Sequence, residues 1–331
     1  MTAAPSGVPL VTGAAGFAGS HLLERLRRSH DAVAAWSNPR SDRPQPEVDG
    51  VHWSPVDLLD GEAVERQLAS LRPSVIFHCA GLPYVAESWT QAARALQVNA
   101  FATSRLVDAV SRTCPASVVV VTGSALVYRP AAVALKEDDP LGPSDPYGVS
   151  KLAQELAGLH SGAHVVLTRP FNHAGPRQPS SFVTSSFARQ IAEIEAGRRE
   201  AVLRVGNLDA RRDITDVRDT VRAYEMLSLN GRPSRPYNVC SGFAHRVGDL
   251  LDMLLGMARI RVDVHQDPDR MRPSDNPLVV GDSSRIETET GWRAEIPIER
   301  TLSDLLDWWR GQIAAEAGSA RSPRPERSES E

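Results

Sequence analysis

Short apolar runs alternate with helical patterns along the first half of the chain, and this alternation is its strongest constraint on fold. The runs include "VPLV", "SVIFHCAG", "SVVVVTGSA" and "HVVLTRPFN", with amphipathic segments such as "TQAARALQVNAFATSRLVDAVSRT" between them. Continuous apolar strands that alternate with helices are typical of a parallel sheet covered on both faces. The pattern predicts an α/β fold with a Rossmann-type, doubly wound parallel sheet.

The pattern changes after about residue 172, where elements become shorter and Pro, Gly, Ser and Arg more frequent. We predict a dinucleotide-binding domain over 1–172, with later segments near 205–240 returning to it. A smaller, interleaved C-terminal substrate-binding lobe is predicted over 173–312. The end of the chain is small, charged and Pro-containing, which predicts a disordered tail over 313–331.

Composition argues against several classes of partner. The formal net charge is -4, with acids and bases interspersed, which disfavours nucleic acid or an anionic membrane. The three cysteines are far apart and match neither a disulfide framework nor a metal site, which favours a reducing compartment. No signal-peptide pattern and no apolar run of membrane-spanning length is found. We therefore expect a cytoplasmic protein without a metal.

Three glycines, Gly13, Gly16 and Gly19, form G-x-x-G-x-x-G between the first predicted strand and helix. Glycines there let the backbone approach a pyrophosphate, and the helix N-terminus offers N–H donors. The spacing alone is a weak signal and also fits a turn without a ligand. Its place in the first strand–helix unit favours a dinucleotide.

The second predicted strand lacks the acid that normally holds the adenosine ribose at its end. The stretch is "AAWSNPRSDRP", with Arg40 and Arg43 nearby. This combination favours a 2′-phosphate, and hence NADP(H) over NAD(H). The alternative is that both arginines are solvated loop charges. Asp57 either contacts adenine or caps the helix that begins near Asp60.

Tyr147 and Lys151 are spaced i, i+4, which places both on one helix face. The chain has only two lysines among 37 basic residues, so a lysine here indicates a need for a compact ammonium. That ammonium is predicted to lower the phenol pKa and make Tyr147 a proton donor or acceptor. Ser124 ends a predicted strand, where it either meets a ligand or satisfies its own turn.

These motifs together resemble a known family. "TGAAGFAG", "GSALVY", "PYGVSK" and "RPFNHAGPRQ" resemble the extended short-chain dehydrogenase/reductases that act on nucleotide sugars. "VGNLDARRDITDVRDTVRAY" and "DPDRMRPSDNPLVVGD" look like the branch of GDP-mannose 4,6-dehydratases and GDP-4-keto-6-deoxy-mannose reductases. The similarity runs from about Leu10 to Arg310.

The resemblance implies a catalytic triad, a cofactor site and a nucleotide-sugar site. The triad would be Ser124, Tyr147 and Lys151. Besides Tyr147, Lys151 and Arg40, the cofactor contacts would be Gly13, Gly16, Phe17, Ala18, Gly19, Asp57, Leu58, Ala80, Gly81, Leu82, Asn99 and Phe171. Besides Ser124 and Tyr147, the substrate contacts would be Asn172, Val183, Arg212, Arg270, Arg272 and Asp275. A homodimer through the helices of 90–113 and 146–161 is the family expectation.

One position separates the chemistries of this branch. Dehydratases of the family carry an acid, often Glu, two positions after the triad hydroxyl, where this chain has Ala125 and then Leu126. Neither side chain can move a proton. We therefore predict NAD(P)H-dependent reduction of the C4 ketone of a nucleotide-linked 4-keto-6-deoxyhexose, with GDP-4-keto-6-deoxy-D-mannose to GDP-D-rhamnose (or its C4 epimer) as the nearest match. The alternative is a GDP-mannose 4,6-dehydratase or an NDP-sugar epimerase with a transiently reduced cofactor.

Overall fold

A computed structural model describes residues 7–268 and 276–321. The strands are β1 Leu10–Thr12, β2 Val33–Ser37, β3 Val51–Pro55, β4 Val75–His78, β5 Val118–Thr122, β6 His164–Pro170, β7 Asn172–Ala174, β8 Val202–Val205, β9 Arg211–Asp216, β10 Pro236–Val239, β11 Ala244–Arg246, β12 Asp263–Gln266 and β13 Leu278–Val279. The α-helices are α1 Phe17–Leu26, α2 Gly61–Leu71, α3 Val85–Ser88, α4 Ala92–Leu96, α5 Ala102–Thr113, α6 Pro146–Leu159, α7 Val183–Glu195, α8 Val217–Asn230, α9 Val247–Gly256, α10 Ser284–Thr290 and α11 Ile298–Arg321. A π-helical turn, Gln97–Phe101, joins α4 to α5, and a short 3₁₀ helix covers Ala125–Val127.

The main sheet has seven strands in the order β10-β6-β5-β4-β1-β2-β3. All of its pairings are parallel, and Val11 of β1 aligns with Phe77 of β4 on one side and Ala35 of β2 on the other. The predicted doubly wound parallel sheet is therefore confirmed. The strand order reverses at β1 and β4, so a ligand crevice is expected outside their carboxyl ends.

Both faces of this sheet are buried, which explains the unbroken apolar strands. Neighbouring residues of one strand point to opposite faces. Leu10 joins a cluster with Leu68 of α2 and Leu106 of α5, whereas Val11 joins a second cluster with Leu22 of α1. Two separate hydrophobic layers thus hold the carboxyl edge of the sheet in place.

The chain divides into two compact units, with residues 1–173, 210–245 and 275–296 in unit 1 and the rest in unit 2. The sequence places 276–296 in the smaller lobe, but these residues belong to unit 1. Helix α11 continues to Arg321, well into the segment predicted as a tail; residues 322–331 lie outside the described part.

Each unit has sheet structure of its own beyond the main sheet. In unit 1, β9 pairs with β11 and β13 on either side, and β7 also pairs with β9. In unit 2, β8 and β12 pair in parallel, and the Trp309 indole of α11 donates a 2.9 Å hydrogen bond to Ser185 of α7. The described helices include none that is long and apolar enough to cross a membrane.

Candidate active site

The glycine turn lies between β1 and α1, at the carboxyl edge of the main sheet. Gly13 has a φ of +65°, and a Cβ at this position would lie 2.6 Å from the Ala80 backbone. A Cβ on Gly19 would overlap the Gly13 carbonyl oxygen. Helix α1 has no acidic residue in its first turn and no side-chain cap at Gly16. This bare helix end and close-packed turn fit a dinucleotide pyrophosphate.

The segment after β4 lies against the glycine turn and is held by Asn99. The Asn99 amide accepts from Leu82 N–H at 2.8 Å and donates to the Leu82 carbonyl at 3.2 Å. It also donates to Ser150 of α6 at 2.9 Å. Asn99 is fully buried in the π-helical turn, a feature frequent at functional sites. It thereby ties the predicted cofactor segment Ala80–Leu82 to α6.

The loop after β2 places Arg43, rather than Arg40, beside the glycine turn. The Arg43 guanidinium donates to the Tyr84 hydroxyl at 3.1 Å and lies 3.8 Å from a Cβ built on Gly16. Arg40 uses its backbone N–H to donate to the Asn38 side chain at 2.8 Å. Arg43 is thus the better-placed loop cation.

Asp57 does not cap α2. Asp60 is the cap, accepting from Ala63 N–H at 3.0 Å. Asp57 instead accepts from Leu59 N–H within its own turn, and Leu58 packs against the hydrophobic layer of α2 and α5. The adenine contact predicted for Asp57 and Leu58 stays a prediction.

The predicted triad comes together at the ends of β5 and α6. Asp145 caps α6, accepting from Gly148 N–H at 2.8 Å, and so starts the helix just before Tyr147. The Lys151 ammonium lies 6.0 Å from the Tyr147 ring centre and donates to the Thr122 carbonyl at 2.9 Å. Ser124 follows the end of β5 after one residue, Gly123, and its hydroxyl is near enough to Tyr147 to act on the Tyr147 pKa. The turn role considered for Ser124 is also present, because its oxygen accepts from Leu126 N–H at 3.1 Å.

Burial sets the protonation of this group. It raises the pKa of Tyr147 to about 12, although the hydrogen bond with Ser124 acts in the opposite direction. It lowers the pKa of Lys151 to about 8. The prediction that the Tyr147 pKa is lowered toward neutral is therefore wrong, because loss of solvent around the phenol dominates. Tyr147 keeps its proton at neutral pH.

The end of β6 carries the next predicted contacts. Phe171 is buried, with its ring 6.5 Å from that of Tyr128, whereas Asn172 is exposed. His173, which the sequence analysis did not single out, stacks on Phe17 with ring centres 5.6 Å apart. This stack links the chain after β6 to the first turn of α1.

The remaining predicted substrate contacts are separated in the chain. Arg212 lies on β9 in unit 1 and donates to the Arg211 carbonyl at 2.9 Å. Val183 begins α7 in unit 2 and is partly exposed. Arg270, Arg272 and Asp275 lie outside the described residues. Within the described ranges, no group of His, Cys, Asp and Glu side chains is arranged to hold a metal ion.

Comparison with known proteins places this site in a family. The sequence model of the GDP-mannose 4,6 dehydratase family matches residues 10–305. The chain belongs to this family. It is an enzyme of the extended short-chain dehydrogenase/reductase type, a group of NAD(P)-dependent nucleotide-sugar oxidoreductases.

Individual relatives cover nearly the whole chain. A GDP-6-deoxy-D-mannose reductase of Pseudomonas aeruginosa is 35% identical over 313 residues, covering 92% of this chain and 98% of the relative. The structure of RMD from Pseudomonas aeruginosa complexed with NADPH matches with a TM-score of 0.80 at 33% identity, covering 93% of this chain and 100% of that one. MoeE5 in complex with UDP-glucuronic acid and NAD matches with a TM-score of 0.80 at 30% identity, covering 92% and 100%.

The glycine turn provides a first prediction. We expect Gly13→Ala to abolish dinucleotide binding and to lower the free energy of unfolding by more than about 2 kcal/mol, because a left-handed backbone and a contact with Ala80 are both disturbed. Gly197→Ala is a matched control, since Gly197 has a φ of +69° but nothing within 4 Å of an added Cβ. This control should lower the free energy of unfolding by about 1 kcal/mol and leave dinucleotide binding unchanged. Urea unfolding measures the stability of both variants, and NADPH fluorescence titration measures their binding. Equal binding by the two variants would contradict a role of the glycine turn in holding the dinucleotide.

Proposed function

We propose that this enzyme uses NADPH to reduce the C4 ketone of a GDP-linked 4-keto-6-deoxyhexose. The nearest match is GDP-4-keto-6-deoxy-D-mannose, converted to GDP-D-rhamnose or its C4 epimer. The observation that carries the proposal is a buried Ser–Tyr–Lys group followed by a turn, Ala125–Val127, that contains no acid. The similarity to a GDP-6-deoxy-D-mannose reductase supports it.

The residues of the site suit reduction. A bound reduced nicotinamide would supply hydride to C4. Tyr147 would donate its proton to the C4 oxygen, and its raised pKa keeps that proton in place until the oxygen becomes basic. Ser124 would donate its O–H to the same oxygen, while its own oxygen accepts from Leu126 N–H. Lys151 would hold the nicotinamide ribose.

Elimination has different requirements, which the side chains of the turn Ala125–Val127 do not supply. A 4,6-dehydratase must remove the C5 proton and protonate the departing C6 hydroxyl, which takes a general base and a general acid. Leu126 stands where the dehydratases of the family carry their acid. The dehydratase and epimerase alternatives remain as outcomes of the assay.

Absorbance at 340 nm tests the proposal. We expect the purified protein to consume NADPH with GDP-4-keto-6-deoxy-mannose generated in place, and not with GDP-mannose. Tyr147→Phe should lower kcat/KM at least about 100-fold, because the proton donor is lost, while NADPH binding is kept. Lys151→Arg should also lose activity, because the forked guanidinium does not fit the ammonium's place.

Tyr237→Phe is the control, since Tyr237 is a buried tyrosine of β10 whose hydroxyl donates to Glu289 at 2.6 Å and accepts from Arg232 N–H, and hydrogen-bonds none of the triad. It should keep full activity. Formation of a 4-keto product from GDP-mannose without net NADPH consumption would favour the dehydratase and overturn the reductase.

The preference for NADP(H) rests on the loop after β2. No acid follows Ser37 at the end of β2, and the Arg43 guanidinium lies beside the glycine turn, fixed by Tyr84. A guanidinium is suited to a phosphate through paired hydrogen bonds. We propose that Arg43 contacts the 2′-phosphate, and that Arg40, assigned to the cofactor from the sequence, contributes less.

Cofactor kinetics separate the two arginines. Arg43→Ser should raise KM for NADPH by about 10- to 100-fold, the loss of a hydrogen bond to a charged group, and leave KM for NADH unchanged. Arg40→Ser should change KM for NADPH only slightly. Equal losses with NADH and NADPH in Arg43→Ser would contradict a role at the 2′-phosphate.

An exposed apolar face on unit 1 supports the predicted homodimer. Helix α6 packs against α4 and the π-helical turn. The exposed large apolar side chains of these elements are Val149 and Leu156 on α6, Leu96 on α4, Phe101 in the π-helical turn, and Trp89 just before α4. Trp89, Leu96 and Val149 line one surface pocket. Contiguous exposed apolar patches mark interaction sites. We propose that a second copy of the chain covers this face.

Light scattering after size exclusion tests the dimer. We expect the wild type to be a dimer and Leu156→Asp to be a monomer at micromolar concentration, because a carboxylate would be buried without a partner. Leu229→Asp is the matched control, since Leu229 is similarly exposed but lies on α8. A monomeric wild type would remove the proposal. The cytoplasmic location stays a prediction from sequence.

A further inference from the structure

The ammonium of Lys151 donates a hydrogen bond to a glutamine on the same helix, Gln154. Lys151 donates to Gln154 Oε1 at 2.8 Å and to the Thr122 carbonyl at 2.9 Å. An ammonium has three hydrogens to donate, so these two bonds fix its direction and leave one hydrogen for a ligand. Gln154 itself is fully buried. Neither the triad nor the predicted cofactor contacts include it.

A chain of hydrogen bonds decides which way the Gln154 amide faces. Thr103 donates its hydroxyl to the Asn99 carbonyl at 2.6 Å, so the same oxygen can only accept from its other neighbours. Those neighbours are His78 Nε2 at 2.8 Å and Gln154 Nε2 at 3.0 Å. The NH₂ group of Gln154 therefore faces Thr103, and its oxygen faces Lys151. The amide orientation follows from the network.

The hydrogen-bond network continues through His78 to the first strand. With Nε2 of His78 as donor, Nδ1 is the acceptor, and it receives the Thr12 hydroxyl at 2.8 Å. Thr12 is the last residue of β1, directly before the glycine turn. Burial lowers the pKa of His78 to about 3, so the ring stays neutral and this pattern persists. A continuous buried network thus runs from the glycine turn to Lys151.

No nearby described anion offsets the charge of Lys151. The titratable groups that face it are His78 and Cys79 at the end of β4, and Tyr147 on its own helix. Burial raises the pKa of Cys79 and of Tyr147 to about 12, so both are neutral at pH 7. The ammonium is then stabilised by the dipoles of its two hydrogen-bond partners, the Thr122 carbonyl and the Gln154 amide.

We infer that Gln154 is a positioning residue that stabilises the charged form of Lys151 and directs it toward the proposed nicotinamide ribose, with Thr12, His78 and Thr103 fixing the amide. The inference rests on the proposed function only for its effect on activity. Its effect on the titration of Lys151 is independent of any substrate.

The first experiment measures that titration through stability. Lys151 has a folded pKa of about 8, below its unfolded value of 10.5, so the unfolded chain binds more protons between these values. The free energy of unfolding of the wild type, relative to Lys151→Met, should therefore rise with pH through this window. In Gln154→Leu, relative to Gln154→Leu/Lys151→Met, the rise should begin about one to two pH units lower, the size of one hydrogen bond to a charged group.

A matched control separates positioning from packing. Gln190 is also a buried glutamine, in α7 of unit 2, and it hydrogen-bonds the Arg204 backbone at 3.2 Å. Gln190→Leu should lower the free energy of unfolding without moving the pH range over which Lys151 titrates. If Gln154→Leu likewise lowers stability and leaves the window in place, the inference is overturned.

The second experiment follows activity. The alkaline limb of kcat/KM should move to lower pH in Gln154→Leu, with KM for NADPH raised about tenfold at pH 8. Gln154→Glu keeps an acceptor and adds a negative charge, so it should move the limb to higher pH; it also tests the inference if Gln154→Leu does not fold. If the alkaline limb of kcat/KM stays at the same pH in both variants, the inference is overturned. A wild type without turnover would remove the proposed function, while the unfolding measurement still decides the role of Gln154.

Discussion

The burial of one ammonium group constrains the surroundings of the site more than any other interaction. Lys151 is almost fully enclosed, and an enclosed charge requires hydrogen-bond partners. One partner is a backbone carbonyl at the last residue of β5, and the other is Gln154 on α6. Helix α6 must therefore lie at the carboxyl end of β5. The π-helical turn that bears Asn99 then completes the contact between this helix and the segment after β4.

A buried ion pair, between Arg169 and Glu155, fixes the second half of the same helix. Arg169 of β6 pairs with Glu155 through two hydrogen bonds, and its guanidinium also donates to the Tyr128 hydroxyl at 2.9 Å. Both charged side chains are almost completely buried, so loss of one would leave the other unpaired at a cost of about 3–5 kcal/mol. Because Glu155 is one turn after Lys151, this pair limits rotation and sliding of the helix that carries the triad.

The sheet, and the placement of Tyr147 and Lys151 on one helix face, could be predicted because their signals are periodic. Apolar runs alternate with helices, and the i, i+4 spacing of Tyr147 and Lys151 is a property of any helix. The sequence could not show that Arg43, rather than Arg40, lies beside the glycine turn, because residues in the loop after β2 follow no periodic pattern. The direction of the Tyr147 pKa shift could not be predicted either. The spacing shows that an ammonium is near the phenol, but not that the phenol is buried, and burial has the larger effect on its pKa. The i, i+3 position of Gln154 was visible, but its significance depends on Thr103 and His78, far away in sequence.

The turn after β5 connects these constraints to the type of reaction. The Leu126 N–H donates to the Ser124 oxygen, and burial keeps Tyr147 protonated. Both hydroxyls carry a proton, and we propose that both donate to the C4 oxygen of the substrate. Two donors that meet at an oxygen stabilise negative charge developing on a carbonyl, which is what reduction of a ketone requires. Removal of a proton from carbon requires a base at that edge, and the side chain at the family's acidic position is a leucine. This arrangement is the basis on which we propose addition to a carbonyl rather than elimination next to one.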